Sequence, residues 1–230
     1  DGGVIVQYMG GKARIAKHIV SSIMSDTPLR ERWFEPFVGG GNVMEHAAPH
    51  FHECIGADAH PDLILMWQAV TNGWLPPDID REMYRDLRHA DPSALRGFVG
   101  FGASFGGKWF GGYGVSPRDG ELWRQSARTI ARQAQVFMRH RVKFVQSEFG
   151  SYDPPPRTVV YCDPPYYGTT SYSTGQFDYQ YFYEKLIEWS DSGCAVYVSE
   201  YQIPESVPCE LIWERSKNVS LNSASNSRHA

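Results

Sequence analysis

The sequence predicts an α/β protein of three layers, in which helices cover both faces of a mostly parallel sheet and a small helical subdomain is inserted into the chain. Two observations support this prediction. Short apolar segments alternate with segments of helical periodicity along most of the 230 residues. The stretch 81–138 breaks that alternation. We therefore expect residues 1–75 and 140–230 to form the sheet-containing domain and residues 76–139 to form the insertion.

The elements expected before the insertion follow from hydrophobic periodicity. Ile15, Ile19 and Ile23 recur at helical spacing within residues 12–24. No element is assigned before residue 12. The other elements expected in this part are strands at 32–38 and 52–58, a short helix from the glycines to about Ala48, and a helix at 61–70.

The insertion and the C-terminal part are assigned in the same way. Helices are expected near 81–89 and 121–138, with the glycine-rich stretch "GFGASFGGKWFGGYG" separating them. After the insertion, strands are expected at 142–146, 158–162, 194–200 and 209–214, with a helix near 178–190. The alternation of these later elements again favours a parallel sheet.

Charge is distributed unevenly along the chain. Residues 81–143 contain 12 Lys/Arg and 5 Asp/Glu, a local balance of +7, although the whole chain carries −4. A basic middle section in an acidic protein indicates a surface for a polyanion such as nucleic acid. Because Arg124, Arg128 and Arg132 recur every four residues, an ordinary solvated helix face is the alternative explanation.

Composition excludes several classes of protein. No apolar run approaches the roughly 20 residues that span a bilayer, so we expect no membrane association. The four cysteines are widely spaced and no pair has zinc-ligand spacing, which favours buried free thiols, no metal and an intracellular location. His50 and His52 lack nearby partner ligands for a metal site.

A glycine-rich turn follows the predicted strand in "FEPFVGGGN", residues 34–42. A strand that leads through glycines into a helix lets the backbone approach a ligand closely. Asp58 ends the next strand, 17–19 residues after these glycines, where an acid can bind ribose hydroxyls. This arrangement suits an adenosine-containing cofactor, namely NAD, FAD or S-adenosylmethionine, but a purely structural turn is also possible.

A second glycine segment, "YMGGK", occupies residues 8–12 at the entry to the first helix. Two glycines and a lysine there can hold a carboxylate or a phosphate. The segment lacks the first glycine and the Ser/Thr of a P-loop, which argues against a nucleotide triphosphatase. An ordinary glycine entry to a helix explains the residues equally well.

The stretch "VVYCDPPYYG", residues 159–168, ends a buried strand with an acid and two prolines. Pro164 and Pro165 fix the backbone and offer no N–H group, so the strand stops in a rigid segment at the sheet's carboxyl edge. Asp163 and the Pro164 carbonyl can accept the two hydrogens of an exocyclic amine such as N6 of adenine, while Tyr166 stacks on the ring. The segment therefore suits methyl transfer to a base rotated out of its helix.

Aromatic residues and glycines alternate in residues 97–114 of the insertion. The aromatic rings can stack on bases or wedge between them, and the glycines allow close approach to a backbone. A hydrophobic hairpin that packs the subdomain together explains the same composition. The residues predicted to contact DNA are Lys108, Trp109, Tyr113, Arg118 and Arg124.

Taken together and in order, these segments resemble the Dam-type adenine-N6 DNA methyltransferases of the class alpha, or D12 class, most closely the phage-encoded members. The resemblance lies in Tyr8–Lys12, in Phe34–Gly41, in the insertion and in Asp163–Tyr166, and it extends over roughly residues 7–201. It implies a Rossmann-like methyltransferase fold and site-specific methyl transfer from S-adenosyl-L-methionine to N6 of a flipped adenine in double-stranded DNA.

The resemblance also implies roles for individual residues. Asp163, Pro164, Pro165 and Tyr166 would be catalytic and would hold the flipped base. Ser199-Glu200 departs from the Ser-Asn that often follows the next strand in the family. The cofactor would be bound by Tyr8, Gly11, Lys12, Glu35, Pro36, Phe37, Gly39, Gly41, Asp58, Glu148, Phe149 and Asp163.

Related activities within the fold are the nearest alternatives: methylation of cytosine N4, of an RNA base or of a glutamine amide. In resembling families Ser before Pro-Pro favours cytosine and Asn favours RNA or glutamine, so Asp163 favours adenine. A nicotinamide-dependent oxidoreductase would leave Tyr8–Lys12 and the basic insertion unexplained. An inactive DNA-binding protein is disfavoured by the intact Asp163 and Tyr166. We expect a monomer in the cytoplasm of a bacterial or phage-infected cell, serving restriction-modification or a related purpose.

Overall fold

The structure is a computed structural model that describes residues 3–7, 12–117, 120–164, 177–199 and 203–214. Strands within these ranges are β1 (Gly3–Gln7), β2 (Arg32–Glu35), β3 (Glu53–Asp58), β4 (Val115–Ser116), β5 (Gly120–Glu121), β6 (Lys143–Gln146), β7 (Thr158–Cys162), β8 (Ala195–Ser199) and β9 (Cys209–Glu214). The α-helices are α1 (Ala16–Asp26), α2 (Asn42–Ala47), α3 (Pro61–Thr71), α4 (Arg81–Leu87), α5 (Ala94–Gly102), α6 (Leu122–Arg139) and α7 (Tyr179–Asp191).

Seven of the described strands form one sheet in the order β6-β3-β2-β7-β8-β1-β9, and each of its pairings is parallel. The short strands β4 and β5 form a separate antiparallel hairpin within the insertion. From β2 the chain moves outward through β3 to β6, then returns to β7, which pairs with β2. The α/β prediction with a mostly parallel sheet is confirmed.

Alternating side chains on the central strands separate two layers of core. On β2, Trp33 packs with the core on one face of the sheet, and Phe34 packs on the other. On β7, Tyr161 belongs to the first of these cores and Val160 to the second. Because successive residues of a strand point to opposite faces, strands that are apolar throughout require helices on both sides. The observed layers meet that requirement.

Sequence analysis missed strand β1, helix α5 and the short β4–β5 hairpin. Strand β1 lies between β8 and β9, so its hydrogen-bond partners come from residues about 200 positions later in the sequence. Helix α5 occupies part of the stretch that was expected to separate two helices, and it contains Gly97, Gly100 and Gly102. Each glycine costs a helix about 1 kcal/mol relative to alanine. Close tertiary packing compensates for this cost. The missing Cβ atoms let the Asp62 carbonyl oxygen approach Gly97 and the Trp109 ring approach Gly100, positions at which a Cβ would overlap them.

Strand β2 is shorter than the predicted 32–38. The strand ends at Glu35, and the Val38 N–H donates to the Ala57 carbonyl oxygen at 2.9 Å. This bond turns the chain over the end of β3, so the glycines that follow lie at the carboxyl edge of the sheet.

The insertion is attached to the sheet-containing part through α3. The Asp62 carboxylate on α3 accepts the Ser93 N–H at 2.9 Å and pairs with the Arg96 guanidinium at 2.8 Å, although Asp62 itself is only 1% exposed. Gly97 then allows α5 to lie directly against the α3 backbone. Among the described residues, no helix has the length and apolarity that crossing a membrane requires. The same residues contain no group of three or more His, Cys, Asp or Glu side chains that could hold a metal ion.

Candidate active site

The candidate site lies where the strand order reverses, between β2 and β7. All strands of the main sheet are parallel, so their carboxyl ends share one edge. Glu35 ends β2, Asp58 ends β3 and Asp163 follows β7. In open α/β sheets ligands bind outside the carboxyl ends of the strands at such a reversal. Three acidic residues that are far apart in the sequence therefore converge on one crevice.

Lys12 and Asp163 form an ion pair at this edge. The Lys12 Nζ lies 2.8 Å from the Asp163 Oδ1, and the two side chains are 7% and 24% exposed. Pro164, next in the chain, is buried. The structure thus brings the "YMGGK" and "DPPY" segments into contact. Other predicted residues of these segments, namely Tyr8, Gly11, Pro165 and Tyr166, lie outside the described residues.

Glu35 is buried beneath this ion pair. Its carboxyl group is 2% exposed and accepts a hydrogen bond of 2.7 Å from the Trp33 indole N–H. Burial, with a smaller contribution from the negative charge of Asp163, raises the pKa of Glu35 to about 8. The hydrogen bond from Trp33 opposes this rise. Pro36 is buried as well. Glu35 is therefore largely protonated at neutral pH, so it presents a neutral carboxyl group beside the charged Asp163.

Replacing Glu35 with glutamine is expected to change how stability depends on pH. The folded-state pKa of about 8 lies above the ordinary value of 4.5, so the folded state binds more protons than the unfolded state between these values. Wild-type stability should therefore fall as the pH rises through this range. Glu35→Gln keeps the acceptor for Trp33 and removes the ionisation, which should stabilise the protein at pH 8 by a few kcal/mol, on the order of 2–4.

Urea unfolding at pH 5, 6.5 and 8 measures this effect. The control is Glu53→Gln, because Lys143 lowers the pKa of the exposed Glu53 and that residue should contribute no slope in this range. The expectation fails if Glu35→Gln loses as much stability as the wild type between pH 5 and 8.

The glycine turn, residues 39–41, is fixed by three side chains from other elements. The Trp67 indole N–H donates to the Gly39 carbonyl oxygen and the Gln133 amide donates to the Gly40 carbonyl oxygen, both at 2.9 Å. The Gly39 N–H donates to Asp58 Oδ2 at 3.2 Å. Gly39 and Gly41 have φ values of +47° and +66°, which favour glycine. The turn is therefore held through the carbonyl oxygens of Gly39 and Gly40 and through the Gly39 N–H.

Gly41 has a second reason to be glycine. A Cβ there would lie 3.0 Å from Phe137 Cζ and 3.2 Å from Trp67 Cζ2, so aromatic rings of α6 and α3 pack directly on the turn. Helix α2, which follows the turn, has six residues. The close packing leaves this stretch of backbone little freedom to move.

Asp58 connects the turn to α3. Its carboxylate accepts the Gly39 N–H and, at 3.0 Å, the His60 N–H. Burial raises the pKa of Asp58, and these backbone hydrogen bonds oppose that rise. The exposed Glu148 lies near enough for its charge to raise the same pKa. Asp58 is thus a preorganised acceptor at the end of β3, with a second acid beside it.

Phe37 and Phe149 form an aromatic pair next to these acids. Their ring centroids are 5.1 Å apart and the ring planes differ by 13°, so the rings are stacked. Both rings pack against Phe182 of α7, at 6.0 Å and 5.1 Å. The structure therefore brings together Phe37, Asp58, Glu148 and Phe149, which the sequence places at the ends of β2, β3 and β6. A flat apolar surface beside two carboxylates that could accept hydrogen bonds from ribose hydroxyls suits a nucleoside.

Of the residues predicted to contact DNA, some are exposed to solvent and others pack within the protein. Lys108 and Arg124 are exposed, and Arg124 pairs with Glu121 at 3.3 Å. Trp109 is half-buried and packs on His60 at a centroid distance of 4.3 Å. The Tyr113 hydroxyl donates to the Ile79 carbonyl oxygen and contacts Glu121 at 2.7 Å. Trp109 thus packs the insertion against the sheet-containing part, and Tyr113 packs within the insertion. Arg118 lies outside the described residues.

Sequence analysis did not single out two residues, Phe105 of the insertion and Gln133 beside the glycine turn. Phe105 is 61% exposed at the tip of the glycine-rich loop, next to Lys108 in space along the same turn. Gln133 is 1% exposed and lies among the apolar residues Ile130, Ala134 and Phe137 of α6. A lone glutamine in the apolar stripe of an amphipathic helix was a usable signal for Gln133. No sequence signal separated Phe105 from the other aromatic residues of its stretch.

Part of the chain that contributes to this site matches a known protein family. Residues 8–94 match the family described as D12 class N6 adenine-specific DNA methyltransferase. The resemblance to this family that the motifs suggested is confirmed over that range, which includes the Lys12 segment, the glycine turn and Asp58. Asp163 and Pro164 lie beyond it.

One curated relative is a viral protein. A 69-residue segment is 32% identical to the type II methyltransferase M.CviBI of Paramecium bursaria Chlorella virus NC1A. The aligned segment covers 30% of this chain and 25% of the relative, so the chain spans about a quarter of the length of the relative it matches. This similarity is consistent with the expected resemblance to virus-encoded members.

Proposed function

We propose that this chain, whose residues 8–94 match the D12 class, transfers a methyl group to N6 of an adenine in double-stranded DNA. The observation that carries the proposal is the contact of Lys12 with Asp163 at the reversal of the sheet. That contact joins the family-matched part of the chain to the Asp-Pro-Pro segment. Further support is that Asp163, followed at once by Pro164, comes directly after β7 at the carboxyl edge of the sheet, the edge at which the glycine turn follows β2.

S-adenosyl-L-methionine is the methyl donor that these residues fit. Asp58 offers a carboxylate at the end of β3, and Phe37 and Phe149 offer a flat apolar surface. Among the described residues, none accepts a hydrogen bond from the Gly40 N–H, which can therefore donate to a ligand. Bound there, the molecule would supply an electrophilic methyl group. The full proposed set is Tyr8, Gly11, Lys12, Glu35, Pro36, Phe37, Gly39, Gly41, Asp58, Glu148, Phe149 and Asp163.

The chain's own contribution to the chemistry is to orient and polarise the amine. An exocyclic amine is a weak nucleophile because its lone pair is delocalised into the ring. The Asp163 carboxylate and the Pro164 carbonyl can accept its two hydrogens, which favours tetrahedral nitrogen and frees the lone pair. Lys12 Nζ lies 2.8 Å from Asp163 Oδ1 and thereby helps to hold the carboxylate in place. As the new bond forms the nitrogen becomes acidic, and an Asp163 oxygen can take the proton.

The base must leave the duplex to reach Asp163, because the site lies in a crevice of the protein. Tyr166 would stack on the extruded ring, and Pro165 would keep the segment rigid, as the family resemblance implies. In resembling families an acid before Pro-Pro favours adenine, so Asp163 favours adenine over cytosine N4 or an RNA base. The labelling experiment described below distinguishes these substrates.

We propose residues 76–139 as the DNA-recognition subdomain and the remainder as the catalytic domain. Support comes from the exposed side chains of the glycine-rich loop and of α6, where Lys108, Arg124 and Arg128 are all exposed. Phe105, the exposed ring at the loop tip, is better placed to meet a base than Trp109 or Tyr113, whose rings pack internally. Arg118 remains part of the proposed DNA surface.

Replacing Lys108 with glutamine is expected to weaken DNA binding in a salt-dependent way. A lysine that neutralises one phosphate releases about one counterion, so the slope of log Kd against log salt concentration should decrease by about one. Fluorescence anisotropy with a labelled duplex measures the slope. Lys17→Gln, an exposed lysine on α1, is the control and should keep the wild-type slope. An unchanged slope for Lys108→Gln would remove this residue from the DNA surface.

The cysteines bear on the cellular setting. Cys54, Cys162 and Cys194 are buried free thiols and Cys209 is an exposed one, which suits a reducing cytoplasm. We propose a monomer that needs no metal and works in a bacterial or phage-infected cell. A role in restriction-modification is the corresponding biological hypothesis, given the type II methyltransferase among its relatives.

Methyl-labelled S-adenosylmethionine tests the proposed function directly. The protein is incubated with unmethylated genomic DNA and, separately, with total RNA, and both are digested to nucleosides. Label on N6-methyldeoxyadenosine is the expected result. Label on cytosine or on RNA alone would overturn the assignment of Asp163 to adenine, and the absence of label despite cofactor binding would favour an inactive DNA-binding protein.

A further inference from the structure

Helix α6, the last helix of the insertion, contacts both α5 of the insertion and the glycine turn. Near its beginning, the Ser126 hydroxyl donates to the Gly102 carbonyl oxygen of α5 at 2.8 Å. Farther along, Gln133 and Phe137 contact the glycine turn. The helix has 18 residues and is therefore about 27 Å long. One rigid element thus connects the proposed DNA-recognition subdomain to the proposed cofactor site.

Two adjacent residues of α6 hold the turn and the helix after it. The Gln133 amide donates to the Gly40 carbonyl oxygen at 2.9 Å from a position that is 1% exposed. The Arg132 guanidinium pairs with both carboxylate oxygens of Glu45 on α2, at 2.6 Å and 2.9 Å. The Gln133 amide is the stronger of these constraints, because at 1% exposure it cannot exchange its partner for water, whereas Arg132 is mostly exposed.

The opposite end of the same helix presents basic side chains to solvent. Arg124 and Arg128 are exposed one turn apart, and Arg132 follows after one more turn. A phosphate backbone bound along Arg124 and Arg128 would therefore fix the orientation of α6. Any rotation or shift of the helix would be transmitted to Gly40 through Gln133, nine residues after Arg124 along the helix.

We propose that Gln133 is a positioning residue that couples DNA binding to cofactor binding through the Gly40 carbonyl. The inference rests on the proposed function, since it requires that the chain bind both DNA and S-adenosylmethionine. It assigns to the helix of the insertion a role in the geometry of the cofactor turn. Coupling of this kind is reciprocal, so cofactor should tighten DNA binding by the same factor by which DNA tightens cofactor binding.

Gln133→Met tests the proposal, because methionine keeps the length and approximate volume of glutamine and removes the donor. Calorimetry gives the Kd of S-adenosylhomocysteine with and without the duplex that the wild type methylates. We expect the Kd without DNA to rise about three- to tenfold, in line with the loss of one buried hydrogen bond. The factor by which DNA tightens the Kd should approach one, and DNA affinity without cofactor should stay within about twofold.

Gln135→Met is the matched control, since it makes the same substitution at an exposed position two residues away. A merely structural role for Gln133 would lower the melting temperature and leave the DNA-dependent factor at its wild-type value. That result would overturn the proposal, as would a wild type whose cofactor affinity does not respond to DNA. Methylation by the wild type would still establish the proposed function in either case.

Hydrogen exchange of the wild-type protein provides a second test that does not depend on the variant folding. The proposal predicts that DNA alone slows exchange of the amides of residues 39–45, which lie in the glycine turn and α2. Slower exchange confined to residues 76–131 would contradict it. Unchanged exchange throughout the chain, with DNA bound, would contradict it as well.

Discussion

Asp163→Ala is expected to lower the rate of methyl transfer by at least about a thousandfold, because it removes the charged acceptor that polarises the amine in the transition state. The binding of DNA should change little, since Asp163 lies in the crevice and the proposed phosphate contacts lie on the insertion. Single-turnover methylation of a duplex measures the rate, and anisotropy measures the affinity.

The substitution also removes a negative charge 2.8 Å from the buried Lys12. Loss of this charge can destabilise the fold, so activity should be compared with the fraction folded at the same temperature. Asp163→Asn keeps the shape and one acceptor oxygen, and it should lose nearly as much activity because it lacks the charge and the capacity to take a proton.

The control for Asp163 is Asp153→Ala. Asp153 also lies in the chain near β7, but it pairs with Lys185 and Trp189 on α7, away from the reversal of the sheet. We expect that variant to keep near wild-type rates when folded. A fully active Asp163→Ala would show that the proposed chemistry is wrong, whatever the DNA affinity.

Gly97→Ala is expected to produce the largest loss of stability among the conservative substitutions considered. A Cβ at this position would overlap the backbone carbonyl of Asp62, which cannot move as a flexible side chain could. Helix α5 would have to separate from α3, disturbing the Arg96–Asp62 ion pair beside it. We expect a loss of about 2–4 kcal/mol in the free energy of unfolding.

Gly97→Ala should lower the affinity for DNA more than the affinity for the cofactor. Separation of α5 from α3 displaces the insertion, so DNA affinity should fall more than cofactor affinity in the folded fraction. Urea unfolding, anisotropy and calorimetry measure the three quantities. Gly102→Ala, on the same helix, would meet only side-chain atoms at 3.0–3.2 Å and should lose less stability. Equal losses in the two variants would contradict this explanation.

Much of the fold was accessible from the sequence. Hydrophobic periodicity gave α3 and α6 to within a residue or two, and β7 without error. An apolar run followed by an acid located the end of β3, whereas the end of β2 was predicted three residues too late. These features are local, because each depends on residues close together in the chain and on backbone preferences that they share.

Elements that depend on distant partners were not accessible. Strand β1 is stabilised by β8 and β9, and α5 exists despite three glycines because α3, Trp109 and α6 pack against them. Local propensity opposes α5, and packing decides in its favour. Nothing in the sequence of residues 97–114 indicated that Phe105 would be exposed while Phe98 and Phe110 are buried.

The sequence by itself determined which residue types end each strand, and hence the chemical class of the site: a glycine turn, an acid at the end of β3 and a carboxylate before proline. The tertiary structure alone decided which of these meet. The sheet order places β2 beside β7, so that Lys12 contacts Asp163, Glu35 becomes buried and Gln133 reaches Gly40. The physical reason is that a strand's neighbours are chosen by the burial of whole layers, which no local pattern specifies.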